Sequence, residues 1–182
     1  KKNPARAMEV RPDTPDGLKP KDLIGLPWRM AFALQQAGWY LRTDIIWHKP
    51  NAMPESVKDR PSRAHEFIFM FTKSERYFYD YEAQKETNGN GGRNRRTVWS
   101  INTRPLPDAH FATFPEELVE PCILGSTRSG DTVLDPYFGA GTVGVVCERL
   151  RRRYVGIELN PDYIAIARQR IRTATSQPEL VY

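Results

Sequence analysis

The sequence predicts an α/β fold built on a mostly parallel β-sheet, and three observations support this prediction. An apolar segment at 132–135 runs into a glycine-rich turn, a helical segment, a second apolar segment and a last helical segment. This order is typical of parallel sheets, in which a helix connects successive strands. Two segments at 39–47 and 66–72 are rich in β-branched and aromatic residues, and apolar residues recur at helical spacing across 20–37.

The N-terminal part is predicted to hold one helix between an irregular arm and the first strand. Residues 1–19 are polar and contain several prolines, which is typical of an arm without regular structure. Pro27 is expected to weaken or kink the helix at 20–37, because proline lacks the amide hydrogen that a helix interior uses. Gly38 is expected to end the helix, since glycine adopts the left-handed backbone without strain.

The middle of the chain is predicted to hold a strand, a loop and a helix. The aromatic segment at 77–80 predicts a short strand. Residues 81–97 are polar and contain several glycines, which predicts a mobile loop. A helix is expected to begin at Phe114, because Pro115 suits a first helical turn and the two glutamates after it suit the positive end of the helix dipole.

The C-terminal part is predicted element by element around the glycine-rich turn. A strand at 132–135 precedes the turn, a helix at 141–152 follows it, and a second strand covers 154–159. Asn160 and Pro161 are expected to begin the last helix. Asparagine accepts a hydrogen bond from a free first-turn amide, and the fixed backbone angle of proline suits the first helical position.

Length and composition indicate one globular domain with a polyanionic partner. The 182 residues are 40% hydrophobic and 27% charged, which predicts a single domain at 20–175 and a tail at 176–182. The net charge of +5 favours a polyanionic partner, although a solvated basic surface has the same balance. The chain has no apolar run near the ~20 residues of a membrane span and no cysteine spacing typical of zinc sites. A cytoplasmic protein without a metal site is therefore expected.

Two nucleotide cofactors compete for the glycine-rich turn, Asp135-Pro-Tyr-Phe-Gly-Ala-Gly-Thr142. Gly139 and Gly141 allow the backbone to turn tightly and to approach a ligand. Together with Gly144 they also form the spacing of a dinucleotide fingerprint. The turn by itself therefore fits either a dinucleotide or S-adenosylmethionine.

Charge favours S-adenosylmethionine at this turn. A dinucleotide places its pyrophosphate at the start of the following helix, and the carboxylate of Asp135 would repel it. S-adenosylmethionine has a cationic amino group and a sulfonium instead, which suit a carboxylate there. Glu158, at the end of the next predicted strand, can accept hydrogen bonds from the ribose hydroxyls of either cofactor.

The turn and the segments around it resemble the DNA amino-methyltransferases that modify adenine N6 or cytosine N4. The resemblance rests on DPYFGAGT at 135–142 and RRYVGIELNPDY at 152–163, and extends to DIIWHK, RAHE and HFATFPEE upstream. The usual form of the turn is DPFAGSGT, from which Tyr137 and Phe138 depart. The order of segments is similar to that of the permuted subgroup, whose cofactor region is C-terminal. The resemblance implies a Rossmann-like, doubly wound, mostly parallel sheet that is incomplete in this chain.

The resemblance also implies two groups of contacts with S-adenosylmethionine. The first lies at the turn and beyond the next strand and comprises Asp135, Phe138, Gly139, Gly141, Thr142, Glu158 and Leu159. The second lines the methionine end of the cofactor and comprises Phe111, Ala112, Thr113 and Phe114. An ordinary place in the core is the alternative for the two phenylalanines of this second group.

Two segments are candidates for contact with double-stranded DNA. The first follows a predicted strand end, where the active sites of α/β folds cluster, and comprises Trp47, His48 and Lys49. The second lies in the predicted glycine–arginine loop and comprises Arg93, Arg95 and Arg96. Flexible arginines suit phosphate contacts, although a solvated loop explains the same composition.

The motif that should carry the catalysis is absent from these 182 residues. The resemblance implies an x-Pro-Pro-aromatic motif that holds the target amine and stacks on a flipped base. In the permuted order this motif belongs upstream of Lys1, in a missing N-terminal segment of the same domain. No catalytic residue is therefore assigned, and the chain alone is expected to be inactive. Cys122 lies in an apolar helical segment and is expected to be a buried structural cysteine.

The predicted function is methyl transfer from S-adenosylmethionine to an exocyclic amine of a flipped base in DNA. A bacterial or phage restriction–modification setting is expected, and the segment at 110–115 slightly favours cytosine N4 over adenine N6. Two alternatives stay open, a non-catalytic fragment that binds cofactor or DNA and an NAD(P)-dependent oxidoreductase. Dimerisation also stays open.

Overall fold

A computed structural model describes residues 13–86, 92–104 and 113–176 of the chain. Five strands follow the first helix, and helices and strands alternate after them, as the predicted α/β class requires. The helices are α1 (Leu26–Gln36), α2 (Glu116–Ser126), α3 (Thr142–Arg149) and α4 (Pro161–Ser176). The strands are β1 (Tyr40–His48), β2 (His65–Thr72), β3 (Lys85–Glu86), β4 (Arg93–Asn94), β5 (Val98–Ser100), β6 (Thr132–Asp135) and β7 (Arg153–Gly156). No helix among the described residues is long and apolar enough to cross a membrane.

Helix α1 is shorter than predicted, and its proline has a different effect. The helix begins at Leu26, so Pro27 lies in the first turn. First-turn amides have no acceptor within the helix, so a proline there costs no hydrogen bond and does not kink the helix. The predicted kink was therefore wrong. The predicted end is confirmed, because Gly38 has a φ of 92° and its amide donates to the Gln35 carbonyl at 3.0 Å.

Strand β1 is the centre of a three-stranded sheet with the order β2–β1–β5. It pairs antiparallel with β2, with an irregularity between Leu41 and Thr43, and parallel with β5. The strand predicted at 77–80 does not form. The amide of Asp80 instead donates to the carbonyl of Gly125 at the end of α2, so the helix rather than a neighbouring strand holds this segment.

The predicted loop at 81–97 contains a short ladder. Strands β3 and β4 pair antiparallel, with Lys85 opposite Asn94 and Glu86 opposite Arg93. A ladder of two residue pairs between separated segments leaves no periodic signal in the sequence, so the prediction missed it. Residues 87–91 of the predicted loop lie outside the described residues, as do 1–12 of the arm and 177–182 of the tail.

The C-terminal part forms the predicted strand–helix–strand unit. Strand β6 has the predicted bounds and pairs parallel with β7, from Thr132 opposite Arg153 to Asp135 opposite Gly156. Helix α3 is shorter than the predicted 141–152, and β7 ends three residues before the predicted end at 159. Pro115 precedes α2 as its N-cap and does not lie in its first turn.

Helix α2 packs against both parts of the structure. Its Val119 and Ile123 form one core cluster with three residues of α3, Val143, Val146 and Cys147. Its Leu118 forms a second cluster with Trp47 of β1 and Trp99 of β5. Each fully buried side chain of this kind stabilises the fold by roughly 1.5–3 kcal/mol, so α2 fastens the strand–helix–strand unit to the three-stranded sheet.

The β6–β7 pair is covered on one face only by the described residues. Val133 and Tyr154 pack against the cluster around α3. Leu134 and Val155, which are paired in register, point to the other face and are 62% and 52% exposed. Parallel strands are normally buried on both faces, so this apolar face is an incomplete part of the sheet. The predicted incompleteness is thus visible in the structure.

Candidate cofactor-binding site

The glycine-rich turn begins at the carboxyl end of β6, where Asp135 is the last strand residue. Its Oδ1 atom accepts the Tyr137 amide at 2.9 Å, which fixes the carboxylate at the mouth of the turn. The Phe138 amide donates to the Ile157 carbonyl at 2.9 Å, and the Ile157 amide donates to the Asp135 carbonyl at 2.9 Å. The turn is therefore tied to the segment that follows β7.

Gly141 is required in the turn for two reasons. Its φ is 77°, which lies in the left-handed region that side chains with a β-carbon rarely adopt. A β-carbon there would also lie 2.8 Å from the Cβ atom of Ala167 in α4. Gly139 has a φ of 52° but more space around it, so only backbone conformation requires glycine at that position.

Glu158, which lies just beyond the end of β7, closes the turn from the other side. Its Oε2 accepts the Gly139 amide at 2.9 Å, and its Oε1 accepts the Asn160 amide at 2.8 Å. These backbone donors, Asn160 first, hold the pKa of Glu158 below its ordinary value, so the side chain is an anion at neutral pH. A carboxylate has about four lone-pair sites, so it can still accept bonds from a diol. The sequence predicted the ligand contact but not the bond to the turn.

Phe138 is placed differently from the prediction, because its ring points into the fold. The ring stacks on Tyr154, with 5.7 Å between the centroids and 10° between the planes. Added β-carbons would lie 2.4 Å from this ring at Gly156 and 2.7 Å from it at Gly144. The ring thus fills the space between two glycines, which speaks against cofactor contact by this side chain.

Tyr137, the preceding residue, points outwards and was missed by the sequence analysis. Its side chain is 88% exposed at the turn. The usual family form has phenylalanine at this position, and this was the signal that could have identified Tyr137 as a candidate. Leu159 is 94% exposed and is available to a ligand, as its predicted contact with the cofactor requires.

Arg170 of α4 is a second residue that the sequence analysis missed. Its Nη1 atom donates to the Ala140 carbonyl at 2.7 Å and to the Thr142 Oγ1 atom at 3.2 Å. Its Nη2 atom lies 3.6 Å from Oε1 of Glu116 in α2. Thr142 is buried and bonded to this guanidinium, so its side chain holds the turn in place.

Four residues, 111–114, are predicted to line the methionine end of the cofactor, and two of them lie among the described residues. Phe111 and Ala112 lie outside the described residues. Thr113 and Phe114 line a cavity of about 480 Å³ together with Thr142. The structure therefore brings this segment to the start of α3, next to the turn.

The first candidate DNA segment contains one buried residue, Trp47, and two half-buried residues, His48 and Lys49. Trp47 is 4% exposed, and its indole N–H donates to the Ile101 carbonyl at 2.9 Å, which speaks against direct contact with DNA. His48 Nδ1 lies 3.0 Å from Ser100 Oγ, and Lys49 forms an ion pair with Glu66. His48 and Lys49 are half-buried, and their predicted contact with DNA stays a prediction.

The second candidate segment is held by partners within the chain. Arg93 Nε donates to Glu86 Oε2 at 3.2 Å, and Arg96 Nε lies 4.0 Å from the same oxygen. The guanidinium carbon of Arg95 lies 5.2 Å from the centre of the Trp99 ring. A DNA phosphate would have to replace Glu86 as the partner of Arg93 and Arg96, so the predicted contact of these arginines with DNA stays a prediction.

Most of this chain matches the sequence model of a known protein family. The N6/N4 DNA methylase model matches residues 6–169. The chain belongs to the DNA methylase family. It is 71% identical over 173 residues to the type II methyltransferase M.Cfr9I of Citrobacter freundii, a match that covers 94% of this chain. The match covers 58% of that relative, so this DNA methylase chain spans less than two thirds of it.

Solved structures confirm the fold of this DNA methylase. The M1.HpyAVI–SAM complex matches with a TM-score of 0.65 and 25% identity, over 82% of this chain and 71% of the other. The cytosine-N4-specific PvuII DNA methyltransferase matches with a TM-score of 0.68 and 22% identity, over 86% of this chain and 58% of the other. The second likeness shows the fold alone. Both agree with the predicted α/β methyltransferase fold.

Proposed function

We propose that this DNA methylase binds S-adenosylmethionine at the turn 135–142, between the carboxylates of Asp135 and Glu158. The observation that carries the proposal is the placement of these two groups. They lie at or just beyond the carboxyl ends of two adjacent parallel strands, and a glycine turn separates them. Ligands of open α/β sheets bind at this edge. The chain's family, and a solved relative titled as a SAM complex, support the same cofactor.

The charges of the site fit this cofactor better than a dinucleotide. Asp135 and Glu158 both face the turn, and Glu158 is held in its anionic form by backbone amides. A pyrophosphate between them would meet two negative charges, whereas the cationic amino group of S-adenosylmethionine would meet an opposite charge at Asp135. Glu158 would accept hydrogen bonds from the two ribose hydroxyls, and Tyr137 and Leu159 would cover the adenine.

We further propose methyl transfer to an exocyclic amine of double-stranded DNA, with cytosine N4 as the target. When bound, the cofactor supplies an electrophilic methyl group on a sulfonium. The residues of this chain orient that group through the turn, while His48 and Lys49 contact the DNA. The DNA methylase family supports DNA as the substrate class, and the resemblance of 110–115 supports cytosine N4.

We also infer that another segment of the same protein completes the site. Two observations support this inference. The apolar face that carries Leu134 and Val155 is uncovered by the described residues, and the chain spans 58% of M.Cfr9I. This segment would bury that face and would supply the x-Pro-Pro-aromatic motif that holds the target amine. Methyl transfer to DNA by the 182-residue chain alone would contradict the inference.

Calorimetry with S-adenosylhomocysteine and NAD tests the proposed cofactor. We expect S-adenosylhomocysteine to bind and NAD not to bind. Asp135→Asn and Glu158→Gln should each weaken binding at least tenfold, because each removes a charge-assisted contact worth roughly 1.5–3 kcal/mol. Glu75→Gln, at an exposed carboxylate away from the turn, is the matched control and should bind normally. Tighter binding of NAD would refute the proposal in favour of an oxidoreductase.

The target base is tested separately on the full-length protein. Methylated DNA would be digested to nucleosides and analysed by mass spectrometry. We expect N4-methylcytosine, and N6-methyladenine would overturn the assignment of the base without affecting that of the cofactor.

A further inference from the structure

A second cavity lies away from the glycine-rich turn, between the three-stranded sheet and α2. Its volume is about 270 Å³. The sheet contributes Ile45, Ile68 and Trp99, and α2 contributes Cys122. Tyr79 and Arg95 also line it, from the segments on either side of the β3–β4 ladder. The walls are therefore mainly apolar, with one guanidinium among them.

Arg95 carries a buried hydrogen-bond donor that has no acceptor in the described structure. Its Nε atom is buried and finds no hydrogen-bond partner among the described residues. Buried polar groups in native proteins nearly always have a partner, so an isolated one calls for an explanation. The guanidinium lies over the Trp99 ring, which fixes its position at the cavity wall.

The electrostatics of the cavity favour an anion with an apolar body. Arg95 and Arg96 are the charged residues among those that line it, and no carboxylate is present there. Arg96 already lies near Glu86, whereas Arg95 lacks such a neighbour for its Nε atom. Burial raises the pKa of the Cys122 thiol to about 11, so the thiol stays neutral and does not compete as an anion.

We propose that this cavity binds a small aromatic carboxylate, with the carboxylate pairing with the Arg95 guanidinium and the ring lying among Ile45, Ile68 and Trp99. The volume is slightly below the 300–1,000 Å³ typical of sites for drug-sized ligands, so a single ring is the appropriate size. The apolar walls disfavour a bare phosphate, because a strongly hydrated ion would lose water without gaining apolar contacts. The site is independent of the proposed cofactor.

The experiment is a calorimetric titration of the full-length protein with benzoate, benzyl alcohol and inorganic phosphate. Benzoate should bind at least about tenfold tighter than either of the other two, because it alone has both the ring and the charge. Arg95→Gln should weaken benzoate binding at least about tenfold. Arg93→Gln is the matched control, since Arg93 bonds to Glu86 and does not line the cavity, and it should leave the affinity unchanged.

A spectroscopic measurement locates the ligand without a variant of Arg95. The indole N–H of Trp99 donates to the Arg96 carbonyl at 2.8 Å, so its NMR signal reports on this wall. Benzoate should shift that signal, assigned with Trp99→Phe, and should leave the other indole signals in place. Equal binding of benzyl alcohol, tighter binding of phosphate, equal losses in the two arginine variants, or an unmoved Trp99 signal would each overturn the proposal. A cavity that holds only water would show no binding of benzoate.

Discussion

Gly156→Ala should destabilise the strand–helix–strand unit, although alanine is normally better than glycine in a strand. The added β-carbon would lie 2.4 Å from the Cγ and Cδ2 atoms of Phe138. The ring cannot simply move aside, because Tyr154 stacks on it and Gly144 faces its Cζ atom. Overpacking of this kind costs about 1–3 kcal/mol, and we expect a loss near 2 kcal/mol.

The same substitution should become mildly stabilising once the ring is removed. Phe138→Ala alone leaves a cavity and should cost about 3 kcal/mol, the low end of the range for phenylalanine because the ring is only partly buried. In that background the β-carbon at Gly156 meets no ring, and replacing glycine within a strand gains about 0.5 kcal/mol. The coupling between the two sites is therefore expected to be about 2.5 kcal/mol.

The assay is urea unfolding of the four proteins of this double-mutant cycle, followed by circular dichroism. Equal slopes with urea concentration would show that only stability has changed. Gly130→Ala is the control, because Gly130 has a φ of 85° and no atom within 4 Å of an added β-carbon. The stability lost through Gly130→Ala should come from backbone strain alone and should be the same with or without Phe138. The reasoning is refuted if Gly156→Ala costs the same in both backgrounds.

Three further predictions concern the turn and the thiols. Folding lowers the pKa of Glu158, so the ionised side chain stabilises the fold above its ordinary pKa, and this stabilisation is lost as the pH falls through the folded pKa. When stability is measured by unfolding at a series of pH values, Glu158→Gln should therefore lose less stability at acid pH than the unchanged protein. Burial raises the pKa values of Cys122 and Cys147 to about 11, so alkylation by iodoacetamide at pH 8 should be slow until urea unfolds the chain. Tyr137→Ala should weaken S-adenosylhomocysteine binding severalfold in calorimetry without lowering the melting temperature, since its ring is 88% exposed.

The strand–helix–strand unit was the part of the fold that the sequence predicted best. Strand β6 has the predicted bounds, because an apolar run, a glycine turn and a helical segment follow one another without conflict. Gly38 and Asn160 were also predicted correctly, and the Asn160 Oδ1 atom accepts the Asp162 amide at 2.9 Å. These signals are local, so neighbouring residues suffice to interpret them.

The errors concern features that depend on distant partners. The segment at 77–80 has strand-forming residues but no strand to pair with. The alternation of a strand does not say which face is inside, so Trp47 was assigned to the surface although it packs on Trp99. At the turn, two adjacent aromatic residues point in opposite directions, and the glycines at 144 and 156, distant in sequence, leave the space for Phe138 as the inner one.

The geometry of the candidate site depends on α2 as much as on the turn itself. Arg170 bonds to the carbonyl of Ala140 within the turn and also lies beside Glu116 at the start of α2. The other side of α2 packs against Trp47, near the carboxyl end of β1 where His48 and Lys49 lie, and against Trp99 of β5. A shift of α2 would therefore move the turn and the end of β1 together. The cofactor site and the proposed DNA surface are thus positioned by one shared helix, although they lie on separate sheets among the described strands.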